Sequence, residues 1–325
     1  MDDPAVAADL GVLRRGLAAS GRLYGARPCT TLMRLVVALD ARRLAGGAPI
    51  AVVSCDNMPQ NGERLRRGIR SIATMLGGPL LEWIDEAVSF VSTSVDRITP
   101  RLESYRIAAV EADGWLDAAP VVTEPFSDWV LSGDFPAGRP DWESAGARFV
   151  DDIEPWEFRK LWLLNGAHSI LAYSGLLAGH ATVADAIADP ACRSLVDGFH
   201  GEAAAVLPAG VEHVRYRAAL IARFSNGAIA HRLEQIAADG ADKMRYRIAA
   251  VAERTISDGG SADACAAAFA TWIAWVLAGG AAPDARTDEV RRAVAASDPV
   301  AALVAVVSPT LARDAAFVAS VRRAS

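Results

Sequence analysis

Apolar positions recur along this chain with two different periods, and the change of period divides it. Up to about residue 46 the spacing is helical, most clearly over residues 30–44, and the paired Gly46 and Gly47 supply a stop. Pro49-Ile50-Ala51-Val52-Val53-Ser54 is then nearly all apolar and β-branched, which predicts a strand buried on both faces of a parallel sheet. Cys55-Asp56-Asn57 follow it directly, at the carboxyl end where open α/β sheets place their ligands. A helix is predicted from Gly62 through Met75, a second strand over residues 87–91 leading into Ser94-Val95-Asp96-Arg97 and closed by Pro100, and an extended stretch over 119–125. Residues 132–140 are dense in Gly and Pro and read as a connection. From about Asp151 onward helix follows helix, with short Gly or Pro breaks and no strand pattern or internal repeat. The expected architecture is α/β plus all-α: a partial doubly wound, Rossmann-like domain over residues 1–149, then an all-helical domain over 150–325.

Composition narrows the partners. The chain of 325 residues is long enough for two domains with cores of their own, and 52% hydrophobic against 22% charged residues excludes a disordered protein. A net charge of −6 without a dense Lys/Arg stripe argues against nucleic acid, whose phosphates need a basic footprint. Small molecules are the expected partners of a monomer or small homo-oligomer. Cys29, Cys55, Cys192 and Cys265 are far apart and form no C-x-x-C, so neither a disulfide framework nor a structural zinc site is expected, and a reducing cytoplasm fits. The opening MDDPAVAADLG does not read as a signal peptide. The most apolar run, residues 264–282, is Ala-rich and broken by Gly279 and Gly280, which suits a buried helix better than a membrane span of about 20 strongly apolar residues.

The densest chemistry lies between Trp156 and His168. At about 100° per residue, Glu157, Lys160, Asn165 and His168 share an arc of about 140° on one helix side. A Lys whose pKa is lowered by burial can take the proton of a substrate alcohol, an amide can hold the same oxygen as charge develops, and an imidazole can orient a neighbouring hydroxyl. A solvent-facing helix surface produces the same stripe, and spacing alone does not separate the two. No carboxylate or Cys stands three or four residues from His168, so no metal is expected there.

Three segments taken together, V-V-S-C-D-N-M-P-Q-N-G (52–62), S-V-D-R-I-T-P (94–100) and K-L-W-L-L-N-G-A-H (160–168), resemble the mannitol dehydrogenase family of long-chain polyol dehydrogenases, which includes the fructuronate and tagaturonate reductases. The last matches that family's K-x4-N-x2-H signature. Residues 118–126, 172–180 and 223–240 extend the likeness over nearly the whole chain. The resemblance implies a metal-independent oxidoreductase that uses NAD, or NADP, on a CH–OH group of a polyol or uronate. Within it Lys160 resembles the general base, and Asn57 and Asn165 the amides on the substrate oxygen. His168 resembles the residue that orients substrate, Glu157 a carboxylate on a proton path, and Asp96 one near cofactor and substrate, with Arg223 and His231 facing the distal end of the substrate. The H-R-x-x-Q-I-A-x-D-G stretch (231–240) is closest in character to the uronate-reductase branch, so reduction of fructuronate to mannonate is the first substrate expectation.

The sequence departs from that pattern in three places. No strand followed by a glycine-rich turn is visible, because Gly11, Gly16, Gly21 and Gly25 lie in helical sequence; aligned on S-C-D-N, the chain is expected to lack the first βαβ units of its nucleotide-binding domain. Ser94 stands where the family usually has Met. Trp162 stands where K-L-R is common, and is expected to fill core. The rival readings are an inactive remnant or helical interaction module, which would not hold cofactor, and a metal-dependent sugar dehydrogenase, which the missing Cys/His cluster disfavours.

Overall fold

The computed structural model describes residues 4–23, 27–99, 114, 117, 121–280 and 284–324. Of the segments singled out above, Gly25, Pro100, residues 118–120 and residues 281–282 lie outside these. The chain divides into two compact units, residues 1–96 with 128–154 and residues 97–127 with 155–325.

The first unit contains α1 (Pro4–Ser20), α2 (Thr31–Leu44), β1 (Ile50–Val53), α3 (Asn61–Leu76), α4 (Leu80–Ala87), β2 (Val88–Asp96), β3 (Asp128–Ser132) and β4 (Arg148–Phe149). Its core follows helical spacing: Met33, Val36 and Leu39 of α2 meet Ile69, Ile72 and Ala73 of α3, with Leu13, Leu80 and Ile84. Burying each of these larger aliphatic side chains contributes about 1.5–3 kcal/mol. The buried carboxylate of Asp9 joins α1 to the start of α2, accepting hydrogen bonds from the backbone of Cys29 and Thr30 and from the Thr30 hydroxyl. The Cys29 N–H, then that of Thr30, holds this carboxyl below the usual carboxylate range.

The sheet runs β1-β2-β3-β4. Residues 88–91 of β2 pair parallel with Ile50–Val53, and residues 92–96 pair antiparallel with Ser132–Asp128, so one nine-residue strand changes partner halfway. The β1-α3-α4-β2 crossover is the Rossmann-like part. The antiparallel β3 was not apparent from sequence, because Asp-Trp-Val-Leu-Ser is too short and too polar at its ends to show a period. Gly62 lets α3 lie on the sheet: a Cβ there would stand 2.6 Å from Ser92 N and from the Val91 carbonyl carbon.

The second unit is helical. It comprises α5 (Glu154–Arg159, beginning one residue inside the first unit), a π-helical segment π1 (Lys160–Gly166), α6 (Ala167–Leu177), α7 (Val183–Ala188), α8 (Pro190–Ala205), α9 (Val214–Phe224), α10 (Leu233–Ala237), α11 (Gly240–Met244), a second π segment π2 (Arg245–Ala249), α12 (Ala250–Ser257), α13 (Asp263–Leu277), α14 (Thr287–Val294), α15 (Pro299–Val307), α16 (Pro309–Arg313) and α17 (Ala315–Ala324). Trp162, Tyr173, Phe199, Phe224, Phe269, Trp272 and Phe317 form its buried centre. The apolar run begun at residue 264 is α13, buried through Cys265, Ala266, Ala268, Phe269, Ala270, Trp272 and Ile273. Among the described residues no helix is long and apolar enough to cross a membrane.

The described part of residues 97–127 packs with these helices, whereas a single cut near residue 150 would have left it with the sheet. Glu124 supplies the reason. Its carboxylate accepts the Ile98 N–H at 2.6 Å and forms a two-pronged ion pair with Arg223, from Nε at 2.9 Å and Nη2 at 2.7 Å, both side chains being buried.

Candidate active site

The polar stripe begins where α5 passes into π1. The rod from Glu154 to Leu177 is continuous, but residues 160–166 are wound in i→i+5 fashion. On an even α-helix Lys160 and Asn165 would stand about 140° apart, at the two edges of the expected arc. The looser winding turns the chain less per residue, so positions five apart move towards one line. This corrects the even stripe expected from sequence, and its cause is tertiary. Trp162, Leu163 and Leu164 are drawn into the core. Neighbouring elements supply donors to two π1 carbonyls: His200 Nε2 lies 2.8 Å from Leu163 O, and Arg247 Nη1 donates to Asn165 O at 3.0 Å. Trp162 is core, 1% exposed and stacked on Phe158 with ring centroids 4.6 Å apart, while the Arg254 guanidinium lies over both rings. Glu157, Lys160 and Asn165 are half-buried.

His168, the second residue of α6, is buried. Its ring meets Phe224 at 4.8 Å and His231 edge-on at 5.0 Å. His168 Nε2 and His231 Nδ1 are both buried without a hydrogen-bond partner among the described residues. Each such group costs about 1–3 kcal/mol, so two side by side mark a place suited to a hydroxyl-bearing ligand. Burial, reinforced by His231, Arg247, Arg223 and Lys243, holds His168 well below the usual imidazole range, and burial also lowers His231. Both rings are neutral near pH 7, able to accept or donate according to tautomer.

Lys243 and Arg247 were missed in the sequence, three and seven residues beyond the last position quoted for the resemblance. Lys243 Nζ donates to Ile236 O at 3.0 Å, and burial lowers its ammonium. Arg247 Nη1 also donates to Ser169 Oγ at 3.1 Å, and burial pushes its guanidinium down to about 10. A Lys and an Arg four apart among the buried Ala241, Met244, Ile248 and Ala249 were the available signal. Arg223, expected at the distal end of the substrate, commits Nε and Nη2 to Glu124 and lies 4.0 Å over the Phe126 ring.

In the first unit Asn57 stands on the exposed loop after β1, and Asp96 is the buried last residue of β2, opposite Asp128 in register. Asn61, also missed, pins that loop. Its Nδ2 donates to Asp56 O and Thr93 O, both at 2.7 Å, and its Oδ1 accepts from Thr93 N at 2.9 Å.

Among the described residues one group of metal-ligating side chains comes together, His180, Asp189 and Cys192, with ligand atoms within 4.8 Å of one another. It stands beyond the far end of α6 from His168. Local structure accounts for it: Asp189 caps α8 through Oδ1 and pairs with His180 through Oδ2.

Residues 15–144 match the mannitol dehydrogenase Rossmann domain and residues 152–324 the mannitol dehydrogenase C-terminal domain. The chain is 36% identical over 250 residues to the D-mannonate oxidoreductase of Escherichia coli K12, covering 76% of this chain and 51% of that protein. It is 38% identical over 245 residues to the D-arabinitol 4-dehydrogenase of Ralstonia nicotianae, covering 74% and 50%. It thus spans about half the length of these curated relatives. Among solved structures, the Pseudomonas fluorescens mannitol 2-dehydrogenase in ternary complex with NAD and D-mannitol superposes with a TM-score of 0.79 at 31% identity, over 99% of this chain and 66% of that one. A substrate-free D-sorbitol dehydrogenase gives 0.83 at 29%, over 98% and 66%.

Proposed function

Because this chain belongs to the mannitol dehydrogenase family, we propose that it interconverts a secondary alcohol and a ketone on a polyol or sugar acid, with NAD or NADP and without a metal. One observation carries the reading: Lys160, Asn165 and His168 lie along a single rod, and the last presents a buried, unpartnered nitrogen beside that of His231. Neutral imidazoles suit uncharged hydroxyls, and a solvated helix face has no use for them.

The nicotinamide cofactor supplies the acceptor or donor of hydride. The residues present fit one end of it. β1 and the first half of β2 are parallel, and Asn57 follows the carboxyl end of β1, where open α/β sheets receive ligands, while Asp96 ends the antiparallel half of β2. They do not supply a pyrophosphate cradle, because among the described residues no strand is followed by a glycine-rich turn opening a helix. In oxidation Lys160 Nζ takes the substrate's hydroxyl proton, and in reduction its ammonium returns one to the forming alkoxide. Asn165 donates to that oxygen as charge grows. His168 and His231 orient neighbouring hydroxyls, Arg223 the distal end, Asp96 stands near cofactor, and Glu157 exchanges the Lys160 proton with water. A reducing cytoplasm is part of the proposal, since none of the four cysteines is paired.

Fructuronate is the first substrate to try, with tagaturonate and fructose beside it. Oxidation of NADH or NADPH by the purified chain, retained with a chelator and lost in Lys160→Ala, supports the proposal. The absence of turnover and of NADH binding favours the second reading, an inactive remnant or helical interaction module.

A further inference from the structure

We propose that His200 and Arg247 are positioning residues, which hold π1 in its loosened winding and so set Lys160 and Asn165 on one side of the rod. The proposal rests on the catalytic reading of those two residues. An i→i+5 segment is less stable than α-helix and persists where its surroundings over-determine it. Two such determinants act within one turn. From α8, His200 is 1% exposed, and its Nε2 faces Leu163 O at 2.8 Å, so that nitrogen carries the proton. From π2, Arg247 Nη1 donates to both Asn165 O and Ser169 Oγ. The two donors flank Leu164 and bind the carbonyls either side of it. Gly166 makes the approach of α8 feasible, because a Cβ there would stand 2.5 Å from Phe199, the neighbour of His200. Burial keeps His200 uncharged near pH 7, pushing it down to about 4, so its donor role is constant in the working range.

Without a clamp the segment is free to rewind as α-helix, which rotates Lys160 away from Asn165 while leaving the His168 pocket in place. The test compares His200→Leu, which removes the donor, with His200→Gln, which restores an N–H at the position of Nε2. In the full chain with NADH and fructuronate, His200→Leu is expected to lower kcat about 100-fold with KM within about threefold, and His200→Gln to recover to within about fivefold of wild type. Amide hydrogen exchange over residues 163–168 is expected to change in the Leu variant and not in the Gln variant. Equal kcat in wild type and His200→Leu, a parallel fall in both variants, or unchanged exchange would overturn the assignment. If wild type itself shows no turnover, the catalytic reading fails and the exchange comparison alone decides the clamp. Should His200→Leu not fold, Arg247→Met against Arg247→Lys makes the same comparison.

Discussion

Removing Glu124 tests how the described part of residues 97–127 is held to the helices of the second unit. Its side chain is 3% exposed and that of Arg223 6%, so neither charge is rescued by solvent when the other is lost. Glu124→Leu removes acceptors from Arg223 Nε, Arg223 Nη2 and the Ile98 N–H. The guanidinium keeps the Phe126 face 4.0 Å away, a contact of about 0.5–2 kcal/mol, too weak to replace a carboxylate. A buried pair broken on one side costs about 3–5 kcal/mol, and the same is expected of Arg223→Met. The double variant should lie within about 2 kcal/mol of wild type, because the charges then leave together, giving a coupling of at least about 4 kcal/mol. Urea unfolding followed by the fluorescence of Trp162, Trp272 and Trp275 in the second unit reads the costs. A single-variant cost below about 1 kcal/mol, or single costs that simply add in the double variant, would refute the argument.

Lys160→Ala should fold as wild type by circular dichroism and lose about 100- to 10,000-fold in kcat, the range for a positioned general base. Gly166→Ala brings a Cβ to 2.5 Å from the Phe199 ring; overpacking of about 1–3 kcal/mol outweighs the gain of about 1 kcal/mol for Ala over Gly in a helix, so Tm falls, and a rise would contradict the packing. His200, uncharged when folded down to about pH 4 against 6.5 ordinarily, makes the unfolded state bind the extra proton between those values. Its contribution is therefore fully present above pH 6.5 and lost as pH falls towards 4, about 3 kcal/mol in all, and the stability difference between wild type and His200→Gln measured across that window should shrink by this amount.

What was legible in the chain was what local pattern encodes. The run from Pro49 to Ser54 is β1 with its flanks, the helical periods over 30–44 and 62–75 are α2 and α3, and the strand expected over 87–91 is the first half of β2, which starts at Val88. Trp162 is core because a bulky aromatic at helical spacing buries against its own i−4 neighbour Phe158. The spacing of Lys160, Asn165 and His168 pointed to one rod, and the rod is there. Local pattern carries no information about what packs opposite. The change of partner within β2 depends on β3, more than thirty residues on. Arg223 pairs with Glu124, 99 residues away, and its identity as a cation said nothing of that partner. The winding of π1 is decided by donors 37 and 82 residues beyond the carbonyls they bind. Sequence period specifies which face of a helix seeks the core; hydrogen-bond geometry and charge pairing inside that core are settled only when distant elements meet, and here they determine how Lys160 and Asn165 stand to one another.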